Sequence, residues 1–487
     1  MTRFLASLFL LASAVRGHLI SPGISTEYAV LEKNKHEYIG FPQSALNRTE
    51  VEIRMACADD QDFTFEVQFV LRSSPCDKEF FDSRRGKVMD LLQFYFDSEY
   101  EIPDSYDYTS IVYYKSKPQS YNCKDANGPI VFTDPEMKPM ELHNVTKKGR
   151  GKRSVYPGLN GASIDGGAKN SLTSWHPSQT VPVDGIYLLI IKLIANKDSK
   201  AEKESVSIVV EWRQPHGYLS AIDYPLLRFY FAACLFYIVC AFTWMVMCVM
   251  YYKDILRIQY WIGVVIILGM MEKAMFYSEY ASVNGYGVSV EWLMETAEIV
   301  SCAKRTMARV LIVIVSLGYG VVKPRLGDTI NQVALLGGVY FIFSVVEALS
   351  RISKNRLEAV KQKQFASVPL IIVELVIVYW IFSALIATMR TLRMRRNHVK
   401  LQVYVHFVNA LGFAVLSSVI FMVWSLYEHV YPVCLKDWKE LWVDTAFWHV
   451  LFCTVLVVIM ILWRPSKNNQ RYAFTPLLDN SEDECDQ

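Results

Sequence analysis

ETAEIVSCAKRTMARVLIVIV, residues 295 to 315, opens with Glu295 and Glu298, passes Lys304, Arg305 and Arg309, and ends as hydrocarbon. Its reading decides the architecture, because counting it as a membrane span makes the number of spans odd and omitting it makes the number even. Apolar windows of about twenty residues, the length that covers the hydrocarbon core, follow one another near 224 to 252, 257 to 280, 292 to 322, 330 to 350, 367 to 389, 401 to 427 and 442 to 463. With the charged stretch counted there are seven, which puts the two ends of the chain on opposite sides of the membrane.

The 487 residues are 52% hydrophobic with a formal net charge of +2. So small a charge gives no footing to a nucleic-acid partner. Residues 18 to 218 are polar and rich in Tyr, Asp and Ser, whereas 219 to 463 are mostly Leu, Val, Ile, Phe and Trp. Ahead of both, residues 1 to 17 carry one basic residue, the apolar run Phe4 to Leu11 and the small Ala12 and Ala14. That is a secretory signal pattern, too short to span a bilayer. It predicts a luminal domain over 18 to 218, and the odd span count then predicts a cytosolic tail over 464 to 487. The basic residues agree in sign, twelve in the cytosolic connections against seven in the luminal loops, with RTLRMRRNHVK (390 to 400) the strongest contributor and SRISKNRLEAVKQKQ (350 to 364) the exception.

Strand patterns fill the luminal half. FTFEVQFVL alternates at Phe63, Phe65, Val67, Phe69 and Leu71, and SVSIVVEW at Val206, Ile208, Val210 and Trp212, each with one apolar face. GIYLLIIKLIA, residues 185 to 195, is apolar throughout, as a strand buried on both faces would be. Such strands between Pro, Gly and Asn turns predict a β-sandwich. The polar, Gly-rich segment 147 to 175 reads as a surface loop. Its Arg150-Gly151-Lys152-Arg153 matches the dibasic pattern of secretory convertases and equally suits a solvated basic loop that is never cut. Asn47-Arg48-Thr49 and Asn144-Val145-Thr146 are glycosylation acceptor sequons.

Three cysteines, Cys57, Cys76 and Cys123, lie in the luminal half, an odd number for an oxidising space. The span count supplies a fourth, Cys434, in the last luminal loop. Four cysteines allow three connectivities. The arrangement carried forward joins Cys57 to Cys123 inside the sandwich and Cys76 to Cys434 across to the bundle.

Where the two halves meet, VEWRQPHGYLSAIDYPLLRFYF, residues 210 to 231, resembles the GOLD-domain seven-transmembrane-helix (GOST) proteins. SLGYGVVKPRLG after the third span and LWRPSKNNQRYAFTPLLD after the seventh look like the transmembrane protein 87 group within them. The resemblance implies a luminal GOLD-like β-sandwich followed by a seven-helix transmembrane bundle. It also implies residence in the Golgi membrane, with cycling to endosomes and the cell surface and a part in endosome-to-Golgi retrograde transport and Golgi to cell-surface traffic. A Golgi cation channel or a contributor to mechanically evoked currents is the alternative, and a receptor-like ligand sensor the third. The bundle is similar to that of the Wnt carrier Wntless, whose cavity opens laterally to lipid. Implied partners are membrane lipid, a membrane or luminal cargo protein, and monovalent cations.

The membrane charges bear on that choice. At about 100° per residue, Glu295, Glu298, Cys302, Arg305 and Arg309 share an arc of about 80°, a stripe descending about 21 Å, acidic toward the lumen and basic toward the cytosol. Lys304 points away from it. On the second span Glu272 and Glu279 share a face, with Lys273 turned aside; Glu347, Glu374, His406, Asp444 and His449 follow on later spans. A charge at the bilayer centre costs about 3 kcal/mol on insertion scales, so these groups must face one another or water. One reading is a closed structural network in which Arg305 and Arg309 neutralise Glu272 or Glu347. The other is a polar cavity for a cation or lipid headgroup, lined by Glu272, Lys273, Glu279, Glu295, Glu298, Lys304, Arg305, Arg309 and Asp444. The two Gly-Tyr-Gly motifs, 285 to 287 and 318 to 320, fit Gly-rich loops and caps better than an ion filter. No HExxH, GxSxG, phosphate loop or zinc spacing is present, so neither an enzyme nor a cofactor or metal is expected. His449 reads as a satisfied bundle residue, and the tail's Leu477-Leu478 as a sorting dileucine or an unstructured end.

Overall fold

The computed structural model describes residues 22–32, 35–57, 63–76, 79–80, 88–103, 105–123, 129–133, 138–145, 175–195, 203–319, 327, 329–352, 359–395, 398–432, 434 and 437–465. The signal-like segment 1 to 17, the Arg150–Arg153 pattern and Leu477-Leu478 lie outside them.

Eleven strands lead among the described residues: β1 (Ile24–Glu32), β2 (His36–Ala45), β3 (Glu50–Cys57), β4 (Thr64–Ser74), β5 (Ser110–Lys115), β6 (Gln119–Asn122), β7 (Ile130–Val131), β8 (Glu141–Asn144), β9 (Gln179–Thr180), β10 (Gly185–Ala195) and β11 (Lys203–Arg213). They form two antiparallel sheets, ordered β1-β11-β3-β7 and β2-β10-β4-β5-β8, with β9 added to β3 and β6 to β4. The alternation in the sequence is what packs them. Phe65, Val67, Phe69 and Leu71 of β4 meet Val206, Ile208, Val210 and Trp212 of β11 in one core between the sheets. β10 serves two cores because its outward face is also covered. Tyr187, Leu189, Ile191 and Leu193 enter the first core, while Ile186, Leu188 and Ile190 pack beneath helix α1 (Val88–Asp97).

Seven long helices follow: α2 (Tyr224–Met250), α3 (Arg257–Tyr286), α4 (Leu293–Ser316), α5 (Thr329–Ile352), α6 (Ala359–Met394), α7 (His398–Ser425) and α8 (Trp442–Leu462). Six are long and apolar enough to cross a membrane. The one left out is α4, the charged stretch, whose 24 residues are long enough but carry both glutamates and three bases.

The two halves are joined three ways. Ser44 of β2 accepts the Ala221 N–H at 3.2 Å and the Gln214 side chain at 2.9 Å, seating the 214–223 linker on the sheet. Asn284 at the end of α3 accepts the Tyr218 N–H at 3.0 Å through its carbonyl. The disulfide Cys76–Cys434 ties β4's end to the loop before α8, and Cys57–Cys123 closes inside the sandwich.

Candidate functional site

The charged residues of the bundle separate into two groups on two sides of α4. Toward α3, Glu272 accepts a hydrogen bond from the Lys304 ammonium and lies 3.3 Å from that of Lys273. All three side chains are buried. Lys273 Nζ reaches His449 Nδ1 of α8 at 2.8 Å. An ammonium only donates, so Nδ1 is the acceptor and the imidazole carries its proton on Nε2. Aromatic faces supply the remaining solvation: Lys304 Nζ lies 4.4 Å from the Phe452 ring centroid and Lys273 Nζ 5.3 Å from that of Tyr230. Two lysines thus share one carboxylate, and Glu272 Oε1 has no hydrogen-bond partner.

Toward α5 and α6 lie the two arginines. Arg309 Nε donates to both oxygens of Glu374, at 2.7 and 2.9 Å, and its guanidinium stands 4.7 Å from the Tyr340 ring centroid. Arg305 donates to Cys302 Sγ at 3.2 Å. Its Nε is buried without a partner, as is Ser344 Oγ on α5, and among the described residues it forms no ion pair. Beside Arg309 a narrow cleft opens between the helices, with a cavity volume of about 10 Å³, room for roughly one water. Its walls are Thr306, Val310 and Val313 of α4, Val333, Leu336, Gly337 and Tyr340 of α5, and Ile377 and Trp380 of α6. The cleft is hydrocarbon on most sides, with the Arg309–Glu374 ion pair at one edge.

The sequence-predicted residues are distributed as follows. Glu272, Lys273 and Lys304 come together with His449, which the sequence reading treats as a satisfied bundle residue. Arg309 pairs with Glu374 in place of Glu272 or Glu347, because Lys304 and the arginines leave α4 in directions more than about 90° apart and α3 lies on the lysine's side. Glu279 is buried against the turn that follows α3, accepting from Ser289 Oγ and from the Val290 N–H at 3.3 Å. Glu295 and Glu298 are half-buried on α4, and Glu298 is near enough to act electrostatically on Arg305. Asp444 pairs with His429 Nδ1 at 2.8 Å, away from both groups. Asn47 and Asn144 are exposed. Phe452, Tyr230, Tyr340 and Trp380 escape the sequence reading, since an aromatic residue facing a buried cation and one facing lipid look alike in a span.

Residues 225–470, about half of the chain, match the family model described as GOST, seven transmembrane domain. The chain is 46% identical over 309 residues to transmembrane protein 87A of Xenopus tropicalis, covering 62% of this chain and 55% of that protein. It is 44% identical over 339 residues to transmembrane protein 87B of Mus musculus, covering 68% of this chain and 60% of that protein. Membrane protein PTM1 of Saccharomyces cerevisiae is 22% identical over 277 residues, 54% of this chain and 52% of that protein. The chain therefore spans little more than half the length of these relatives. With a seven-helix bundle behind an antiparallel β-sandwich, and that family model laid over the whole bundle, the chain belongs to the GOST seven-transmembrane family.

Proposed function

We propose that this chain is a Golgi-resident multi-pass membrane protein that supports membrane trafficking, and that it does so by holding a lipid or the membrane-embedded part of a cargo in the cleft between α4, α5 and α6. The β-domain would be luminal and the tail cytosolic, a reading supported by the signal-like first residues and the basic bias of the opposite loops. The observation that carries the reading is the cleft itself, apolar on its walls and bordered by Arg309, with Arg305 one turn away on α4, its guanidinium without a carboxylate partner among the described residues. A guanidinium that donates only to sulfur is under-satisfied in a low-dielectric setting and favours an incoming acidic oxygen. No catalytic role is proposed.

A cation-conducting role is the second reading. It is favoured by Glu295 and Glu298, half-exposed at the β-domain end of α4 and in no ion pair among the described residues. Against it, the deeper carboxylates Glu272 and Glu374 are taken up by lysine and arginine.

Purification in a mild detergent followed by native mass spectrometry tests the first reading. Wild type should carry an acidic lipid that Arg305→Ala loses, and Val310→Trp, which fills the cleft, should lose it too. A wild type free of lipid, with retrograde cargo retrieval unchanged in cells lacking the protein, would reject it.

A further inference from the structure

The turn joining α3 to α4 sends large apolar side chains outward. Tyr286, Val288, Val290 and Trp292 are 76%, 48%, 45% and 74% exposed, four within seven residues. The backbone beneath them is held firmly. Glu279 accepts from Ser289 Oγ and the Val290 N–H. Gly287 accepts the Ile24 N–H of β1 at 3.0 Å, and Asn284 donates to the His216 carbonyl at 2.9 Å. A segment this well bonded on its inner side presents its outer side chains at a fixed height.

Trp292 adds a second observation. Its φ of 64° lies in the left-handed region, unfavourable for a bulky residue, and strain of this kind persists where the surroundings over-determine it. The bonds on Gly287 and Val290 account for the backbone. The indole is 74% exposed and among the described residues makes no ring or cation contact.

What adjoins the turn outside the protein is the bilayer. The same two helices, α3 and α4, expose the apolar Ile267, Met271 and Ile299 farther along their length, as lipid-facing spans do. Amphipathic rings concentrate at the membrane–water interface, where one edge is apolar and the other wet. A protein partner fits poorly, since four side chains fall far short of the roughly 20–30 residues a side that a stable interface uses.

We infer that this turn is an interfacial membrane anchor, with Tyr286, Val288, Val290 and Trp292 seated in the headgroup zone of the leaflet on the β-domain side. The test uses the full chain in phosphatidylcholine nanodiscs, with the cysteines outside the two disulfides replaced. A nitroxide is placed by Val290→Cys, and separately by Val288→Cys in case one label disturbs the turn. Reference labels are set by Phe242→Cys on the lipid face of α2 and by Leu142→Cys on the β-domain, both native side chains being 62% exposed. Collision with oxygen relative to a water-soluble nickel chelate should place the turn labels nearer the Phe242 reference than the Leu142 one. Two results would overturn the anchor: a collision ratio equal to that of the Leu142 label, or spin–spin broadening that shows the turn occupied by a second copy.

Discussion

Glu272 holds two ammonium groups at once, Lys304 through a hydrogen bond and Lys273 at 3.3 Å, in a part of the bundle with no access to solvent. Replacing it by glutamine leaves two buried cations facing each other. Removing one partner of a buried pair costs about 3–5 kcal/mol, whereas removing both is far cheaper. Glu272→Gln should therefore melt well below wild type in detergent, and Glu272→Gln with Lys304→Met should recover part of the loss, since Lys273 alone then lacks its carboxylate; a single variant melting with wild type would show the group to be hydrated. The stripe of Glu295, Glu298, Arg305 and Arg309 is legible from spacing alone, because one helix fixes its own angles. Which neighbour each residue meets is not, because the order and rotation of the other helices enter. Lys304 set apart from the stripe follows from its angle; Glu272 as its partner does not.

At the scale of elements, β10 and α4 show how far local pattern reaches. An unbroken apolar run reads correctly as a strand covered on both faces, though the covering helix α1 leaves no trace within the run. The span assigned to α4 survives its five charges because Lys304 and Arg309 are met by carboxylates inside the bundle, while Glu295 and Glu298 lie half-buried in its first turns. The close approach of α2 and α3 is invisible in sequence. A Cβ at Gly269 would lie 2.3 Å from the Tyr237 ring, itself buried, so Gly269→Ala must push the two helices apart. Overpacking of this kind costs about 1–3 kcal/mol, and a fall in thermal midpoint checks it. The linker into α2 carries a pH dependence. Burial draws the His216 imidazole below its usual pKa, against the opposing pull of its 2.9 Å bond to the Leu219 carbonyl. The unfolded chain then binds a proton that the folded linker does not, so stability is steady above about pH 6.5 and falls as pH drops through that value toward the lower folded pKa. Amide exchange at Tyr218 and Leu219, corrected for intrinsic rates, should quicken between about pH 7 and about pH 5.5, and His216→Gln should flatten the change. Equal slopes in the two proteins would remove His216 as the cause.

Across the whole molecule, the question is what stops the β-sandwich from swinging on its linker. The Ser44 bonds to Gln214 and Ala221 make a pivot near the head of α2, and a pivot alone permits rotation. The far side is held by the segment before α8. Cys434 is bonded to Cys76, Trp438 is buried in the core beneath α1 together with Tyr95 and Ile222, and Lys439 Nζ meets Asp184 at 2.5 Å. These links differ greatly in strength. The lysine pair is more than half exposed on one side, and such pairs contribute about 0–1 kcal/mol. Truncating a buried tryptophan costs about 3–5 kcal/mol. A fourth luminal cysteine in the last loop follows from the parity of the spans, though not which of the three others it joins, and Trp438 in DWKEL looks like any interfacial aromatic until the sandwich is seen to close over it. Spin labels on the β-domain at Leu142→Cys and on α2 at Phe242→Cys should give a narrow distance distribution in the wild-type background. Lys439→Ala should leave it narrow. Cys434→Ser alone should broaden it modestly, because Trp438 still fills its pocket, and Cys434→Ser with Trp438→Ala should broaden it strongly. If the double variant stays as narrow as wild type, the linker by itself is rigid, and the loop before α8 is not what orients the domain.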